Sequence, residues 1–313
     1  MSNHSCNLDQ VFKKSIKESI KAAEYCLELN QNIDQALDLL ADSSHKPIVV
    51  CALGKSGYIA AKLAATLKSL DIKAEYLHAS EALHGDLGSV GSHSLVILLS
   101  HSGETEEVVN VAQESSLRGA MCLGITAYPK SRLGLACHAC LALPVSESVC
   151  RIGVAPMAST TVSLIICDSI ANALAHEKEI NINSFRKNHP GGKLGKSLLP
   201  VSFNMKPINS ALVGPDTGIL DALSNMSGTG FVLVQSREPD EIVGIFTDGD
   251  LRRILELGLD VKKLNIGDYC SYDPVIVAMD MLSCEAETLM NKAGVTSVLV
   301  SNQNKSIVGV YRK

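Results

Sequence analysis

The sequence contains no tryptophan, and aromatic residues make up only 4% of it. Stacking platforms for bases or sugar rings are therefore scarce. Positive charge is also in deficit: Lys plus Arg number 28 against 33 Asp plus Glu, a formal net charge of −5. That disfavours a nucleic-acid protein driven by phosphate neutralisation. No apolar run approaches the ~18 residues of a spanning helix; the longest, such as Ile48 to Leu53 and Leu95 to Leu99, are strand-sized. The N-terminus lacks the basic start, apolar stretch and small-residue cleavage site of a secretory signal. It reads instead as an amphipathic helix, with Val11, Phe12, Ile16, Ile20, Ala23 and Cys26 near helical spacing. A cytoplasmic location is expected.

Ten cysteines do not make a secreted framework. Cys51, Cys122 and Cys167 sit in apolar surroundings, as buried free thiols do. The single CxxC, Cys137-His-Ala-Cys140, has no second pair to complete a zinc site. It runs into a strand-like stretch rather than a helix start, so packing is its expected role and not redox chemistry. No metal site is expected.

What is present is a core. The chain has 313 residues, 46% of them apolar, enough for about two domains and for excluding disorder, collagen and coiled coil as the dominant class. A continuous apolar run from Pro47 to Leu53 suits a strand buried on both faces. It ends at Gly54-Lys-Ser-Gly57, and a helix is expected from Tyr58 to about Leu70. Further strands are expected at Ala74 to Leu77, Leu95 to Leu99, Ala120 to Thr126 and about Ala139 to Val145. Helices are expected at about Glu106 to Arg118 and at Ala158 to about Glu177, the latter capped by Ser159, Thr160 and Thr161. This alternation predicts an α/β fold with a doubly wound, mostly parallel sheet. Asn188 to Gly195 cannot be helix interior, because Pro and paired Gly break it.

Beyond about Val201 the elements are short and repeat. Phe231-Val-Leu-Val followed by Ile242-Val-Gly-Ile-Phe returns, 65 to 66 residues later, as Ser297-Val-Leu-Val followed by Ile307-Val-Gly-Val-Tyr. Short helices precede each copy, around Ile219 to Met226 and Cys284 to Lys292. Tandem β-α-β-β units of this size pack on one another, because neither buries its apolar face alone.

Two strand ends share one chemistry. Gly54-Lys55-Ser56-Gly57 and Ser100-His-Ser-Gly-Glu-Thr105 each open a helix. Ligands of open α/β sheets bind at the carboxyl ends of strands, and a helix N-terminus receives phosphate. The first loop is neither a P-loop nor a GxGxxG. A small phosphate ester is favoured over a nucleoside triphosphate.

These two loops, with Glu81-Ala-Leu-His-Gly-Asp-Leu-Gly88, Ala155-Pro-Met-Ala-Ser-Thr-Thr161 and His189-Pro-Gly-Gly-Lys-Leu-Gly195, resemble the sugar isomerase (SIS) domain of D-arabinose 5-phosphate isomerases. The second half resembles a pair of cystathionine β-synthase (CBS) domains. The resemblance implies an SIS domain over 1–200 and a CBS pair over 201–313, with β-α-β-β-α repeats at about 201–262 and 263–313. It implies interconversion of D-ribulose 5-phosphate and D-arabinose 5-phosphate, with no cofactor, feeding synthesis of the eight-carbon sugar Kdo for lipopolysaccharide or capsule. It also implies a homo-oligomer, a tetramer by analogy, with no nucleic-acid or membrane partner.

Such an isomerase moves a proton between C1 and C2 through an enediol(ate), using a base that titrates near neutrality and donors for the oxyanion. By resemblance Lys55, His84, Glu107 and His189 are catalytic, and Ser56, Ser100, Ser102 and Thr105 bind phosphate. Each has a plainer reading: a solvated lysine, turn histidines, first-turn carboxylates (shared by Glu104 and Glu106) and helix caps. One departure falls in Glu147-Ser-Val-Cys150-Arg-Ile-Gly-Val-Ala-Pro156. The family's Glu-x-Cys-Pro is altered: the Glu stands one position further from the Cys, and Arg151 replaces Pro. Ungapped alignment puts Ser148 at the second acidic position, and Glu147 is expected to supply its carboxylate. In the repeats, Thr247-Asp-Gly-Asp250 matches the Thr-x-x-Asp that holds a nucleotide ribose in many CBS domains. The plainer reading is a helix N-cap. The second copy stops at Arg312-Lys313 without an equivalent, so the pair is expected to assemble subunits or to take one nucleotide or nucleotide-sugar effector. Two rivals remain: an isomerase of another phosphosugar, and a non-catalytic phosphosugar sensor, which would not need His84, Glu107 and His189.

Overall fold

The computed structural model describes residues 8–30, 33–145, 152, 155–208, 211–236 and 242–313. Contacts divide the chain into two compact units, Met1–Asn188 and His189–Lys313.

The first unit runs α1 (Leu8–Leu29), α2 (Asp34–Asp42), β1 (Ile48–Ala52), α3 (Gly54–Ser69), β2 (Ala74–His78), α4 (Ala79–Ala82), β3 (Leu95–Leu99), α5 (Glu106–Leu117), β4 (Met121–Thr126), α6 (Arg132–Ala136), β5 (Ala139–Ala142), α7 (Ala158–Glu177) and α8 (Ile182–Lys187). The five strands are parallel, in the order β2-β1-β3-β4-β5. Alternate residues serve opposite faces. Ile48, Val50, Ile97 and Ile125 pack with α1, α2, α3 and α7, whereas Val49, Cys51, Val96 and Leu98 pack with α4, α5 and α6. Both faces are covered, which is why β1 and β3 read as unbroken apolar runs. The order reverses between β1 and β3, so these two strand ends diverge into a crevice.

Several expectations shift. The helix after β1 begins at Gly54, not Tyr58, because Gly54 takes φ +61° and turns the chain straight into it. β5 ends at Ala142 rather than Val145. Ser159, Thr160 and Thr161 do not cap α7: Met157 is the cap residue, and Thr160 and Thr161 donate back to its carbonyl (2.9 and 3.1 Å). By length and composition α7 does meet the criterion for a membrane span that no segment was expected to approach, but half of it is buried. Its inward residues Ala158, Val162, Cys167, Ile170 and Leu174 belong to the core of the first face. The amphipathic stripe of α1 is only partly used. Ala22 and Cys26 are buried, while Phe12, Ile16 and Ile20 are exposed.

The second unit contains α9 (Gly192–Ser197), β6 (Lys206–Pro207), β7 (Leu212–Val213), α10 (Ile219–Met226), β8 (Phe231–Gln235), β9 (Ile242–Thr247), α11 (Asp248–Glu256), β10 (Ile276–Ala278), α12 (Ser283–Ala293), β11 (Ser297–Ser301) and β12 (Ile307–Arg312). The helix-breaking segment around His189-Pro-Gly ends sooner than expected: Gly192 to Gly195 are already helical in α9. The repeat is structural as well as sequential. β7 pairs parallel with β8 and β8 antiparallel with β9; β10, β11 and β12 do the same. Phe231, Leu233 and Ile245 of one sheet share a core with Leu299 and Val310 of the other. Each repeat therefore buries an apolar face on its twin.

Candidate active site

The crevice between β1 and β3 is a pocket of about 320 Å³. Lys55 and Ser56 reach it from the start of α3, and Ser100, His101, Ser102 and Thr105 from the loop after β3. Ser159, Thr160 and Ser163 of α7 close it. Both helix N-termini present unanswered donors. In α3 the first N–H to turn inward is that of Gly57, onto the Leu53 carbonyl (3.2 Å); in α5 it is that of Val109, onto Thr105 (3.0 Å). The preceding amides have no intrahelical partner. Neither Leu53 nor Thr105 caps its helix with a side chain.

The loop after β3 is held in shape from within. Ser100, 4% exposed, shares a hydrogen bond with Thr105 (Oγ to Oγ1, 2.9 Å) and accepts from the Gly103 N–H (3.1 Å). Gly103 has φ +68°, and a side chain there would collide with Ser131 Oγ. The Leu133 N–H donates to the Gly103 carbonyl (3.0 Å), which ties the loop to α6. Glu104 Oε1 accepts from the Arg132 N–H (3.1 Å), so this carboxylate caps α6 and does not face the pocket. On the other side the Tyr76 hydroxyl lies against Gly57, where a Cβ would approach within 2.7 Å. The Lys55 ammonium stands 5.8 Å from the Tyr58 ring centroid.

All four predicted phosphate-binding hydroxyl residues and Lys55 thus meet in one pocket. Glu107 lies half-buried in the first turn of α5, beside Val108, which lines the pocket. His84 is exposed on the turn after α4, beyond the end of β2. His189 is half-buried in the second unit. Glu147, Ser148, Cys150 and Arg151 lie outside the described residues. Ser163 and His101 were not anticipated, and Ser159 and Thr160 were expected only as caps. Ser159 and Ser163 are spaced i, i+4 with the Ser163 hydroxyl on the Ser159 carbonyl (2.8 Å), a spacing that puts both on one helix face.

Cys51, Cys137 and Cys140 are structural. Burial pushes Cys51 up to about 12 and Cys140 up to about 11, and raises Cys137 further. Thiols held protonated are poor nucleophiles. Among the described residues no group of three or more His, Cys, Asp or Glu is placed to hold a metal. In the second unit Thr247 and Asp250 form a capping box. The Thr247 N–H and hydroxyl both donate to Asp250 Oδ2 (2.7 Å each), and Arg253 pairs with Oδ1. The helix cap is therefore present, with the carboxylate engaged on both oxygens.

Parallel sheet, switch-point crevice and hydroxyl-rich helix openings define a sugar isomerase domain: residues 40–173 match the SIS domain family and residues 205–257 the CBS domain family. Over 298 residues the chain is 33% identical to arabinose 5-phosphate isomerase KdsD of Shigella flexneri, covering 93% of this chain and 91% of that protein. It is 29% identical over 318 residues to arabinose 5-phosphate isomerase KpsF of Escherichia coli, covering 99% and 97%. A solved Escherichia coli CFT073 structure in complex with arabinose 5-phosphate is 33% identical, with a TM-score of 0.54, covering 61% of this chain and all of that one. The chain belongs to the arabinose 5-phosphate isomerase family.

Proposed function

We propose that the protein is an aldose–ketose isomerase that interconverts D-ribulose 5-phosphate and D-arabinose 5-phosphate, supplying the pentose phosphate for Kdo synthesis. The observation that carries this reading is the convergence of Lys55, Ser56, Ser100, Ser102 and Thr105 on one pocket at the switch point, in a chain of this family. The phosphate is received by the open amides of α3 and α5 and by these hydroxyls. Lys55 and His84 polarise the carbonyl and stabilise the enediolate oxygen. Glu107 and Glu147 share the proton relay. His189 moves the proton between C1 and C2, as a ring with one donor and one acceptor nitrogen can.

The finer partners are part of the same proposal. A nucleotide or nucleotide-sugar effector at Thr247 and Asp250 would have to displace Arg253, whose side chain is 68% exposed and free to swing away. Self-association to a tetramer is supported by the apolar stripe of Leu8, Phe12, Ile16 and Ile20, which lies open on α1. A cytoplasmic location is consistent with the burial of half of α7.

The test is a panel of pentose and hexose phosphates with purified protein and no added cofactor, followed in deuterated water. Conversion of arabinose 5-phosphate with solvent exchange at C2 is expected. Binding of phosphosugars without exchange would make the protein a sensor, and turnover of a different sugar alone would replace the substrate.

A further inference from the structure

Lys55 and Lys62 stand on one face of α3 with Tyr58 between them, at helical spacings of three and four residues. Their charges are held in different ways. The Lys62 ammonium is paired with the Asp168 carboxylate of α7. The Lys55 ammonium has no ion pair or hydrogen bond among the described residues; it stands 5.8 Å from the centroid of the Tyr58 ring. That is within reach of a cation–π interaction, in which the negative face of the ring attracts the cation.

Packing does not explain this tyrosine. It is 75% exposed, the most exposed aromatic side chain among the described residues, in a chain that is only 4% aromatic. The helical turn that carries it is fixed from below. The Tyr76 hydroxyl of β2 lies against Gly57 and donates to the Ala52 carbonyl (3.4 Å), and the Gly57 N–H closes on the Leu53 carbonyl (3.2 Å). Burial, with the Cys51 thiol and the Tyr58 phenol nearby, pushes the Tyr76 hydroxyl up, so it stays a neutral donor.

A ring and a carboxylate hold a lysine with different consequences. A carboxylate cancels the charge it holds, whereas an aromatic ring carries no net charge and cancels none. Among the described residues no carboxylate lines the pocket that Lys55 enters. An ammonium has three N–H donors, so a ring against one side leaves others for a substrate oxygen. Holding a flexible lysine in advance also lowers the ordering cost it would meet as negative charge develops on that oxygen.

We propose that Tyr58 is a positioning residue: its ring holds the Lys55 ammonium at the crevice with its charge intact, for the oxygen that becomes the enediolate. The contact between ring and ammonium stands by itself; its consequence for the rate rests on the isomerase reading.

The experiment makes two measurements on the full chain. The first is NMR of lysine-labelled protein. Ring current shifts a methylene held over an aromatic face upfield. The Lys55 ε-methylene, assigned by its disappearance in Lys55→Ala, should lie upfield of the other lysines in wild type and in Tyr58→Phe, and rejoin them in Tyr58→Leu. The second is steady-state turnover of arabinose 5-phosphate. Tyr58→Leu should lower kcat about two- to fivefold, which is what a cation–π contact at an exposed site supplies. KM and competitive inhibition by inorganic phosphate should not change. Tyr58→Phe keeps the ring and should keep the rate. In a Lys55→Ala background Tyr58→Leu should cost nothing further, because the group it acts through is gone. Tyr58 is exposed, so its truncation opens no cavity that would unfold the chain. No upfield methylene, a Tyr58→Phe variant as slow as Tyr58→Leu, or an equal loss from Tyr58→Leu with and without Lys55 overturns the proposal. An upfield methylene in a protein that never exchanges the C2 proton keeps the contact and overturns the isomerase reading, and with it the role in catalysis.

Discussion

The chain passes from a strand end into a helix at β1–α3, at β9–α11 and, after a six-residue loop, at β3–α5, and the outcomes differ between the two units. After β1 and β3 the cap residues Leu53 and Thr105 offer no side-chain cap, and the first amides face a pocket. After β9 the Thr247 hydroxyl accepts from the Asp250 N–H (3.4 Å) while Asp250 answers the Thr247 N–H. A serine or threonine stands at all three openings, and acidic residues at the second and third. What separates a binding site from a well-capped helix is whether those groups answer one another. An unanswered amide retains its affinity for an incoming phosphate, whereas a completed capping box has little left to offer.

The contrast breaks most severely at His189, the proposed proton carrier. Removing a general base typically costs ~10²–10⁴-fold in rate. His189→Ala should lower kcat by at least the bottom of that range while KM stays within a few-fold, because the proposed phosphate site lies in the first unit's loops. Steady-state kinetics reads the split. Loss of binding at unchanged kcat would make His189 a substrate clamp.

Alkaline pH should separate the two units next. Cys51 and Cys167 are pushed by burial up to about 12 and Cys140 up to about 11, from an ordinary value of 9.0. The folded state holds these protons more tightly than the unfolded state does. The stability they contribute is therefore complete below pH 9 and is lost as pH rises towards 11 and 12. At pH 10 that is about 1.4 kcal/mol for each thiol, on the order of 4 kcal/mol for the three. The second unit's only cysteines, Cys270 and Cys284, are not fully buried. Burial also raises Cys270 and Tyr311 in the second unit, though less far, so amide exchange at pH 7 and pH 10 should show the first unit losing more protection than the second. Equal loss in both would remove the thiols as the cause.

Gly103→Ala tests the open site through its scaffold. The alanine must adopt φ +68° and push against Ser131. Left-handed backbone in a residue with a side chain costs about 1–3 kcal/mol before the collision is counted. Thermal unfolding should show a loss of about 2–3 kcal/mol, with arabinose 5-phosphate binding weakened further, because the loop that carries Ser100, Ser102 and Thr105 cannot keep its shape. Gly54→Ala shares the backbone strain, at φ +61°, but meets nothing within 4 Å. It should cost less, so the difference between the two isolates the contact with Ser131.

Much of the first unit was legible because its signals are local. Strands buried on both faces read as apolar runs, and Ala158–Glu177 has the bounds expected for it. The hydroxyls after β1 and β3 were legible as a pair, since a doubly wound sheet brings these strand ends together. The start of α3 was not, because a glycine with positive φ begins a helix one turn earlier than its side-chain pattern suggests. Ser159, Thr160 and Ser163 escaped for another reason. At a helix start such residues read as caps, and only the packing of α7 against the sheet carries them to the pocket. The Thr-x-x-Asp of the repeats shows the reverse limit: one spacing writes both a ribose contact and a capping box, and the difference lies in where Arg253 rests.

That difference yields the smallest effect. Replacing an N-cap threonine by alanine costs about 0.5–2 kcal/mol. Thr247→Ala removes a hydroxyl that both accepts from the Asp250 N–H and donates to its carboxylate, leaving Asp250, 8% exposed, with Arg253 and one amide. A loss of about 1 kcal/mol in chemical denaturation is expected, confined to the second unit, with kcat and KM for arabinose 5-phosphate unchanged. Arg253→Ala sharpens the result. It frees Asp250 Oδ1 without touching the cap, so adenine or cytidine nucleotides should bind more tightly to that variant than to wild type if the turn also reads a ribose. Unchanged affinity in Arg253→Ala, with the Thr247→Ala destabilisation intact, would leave the turn as a helix cap and nothing more.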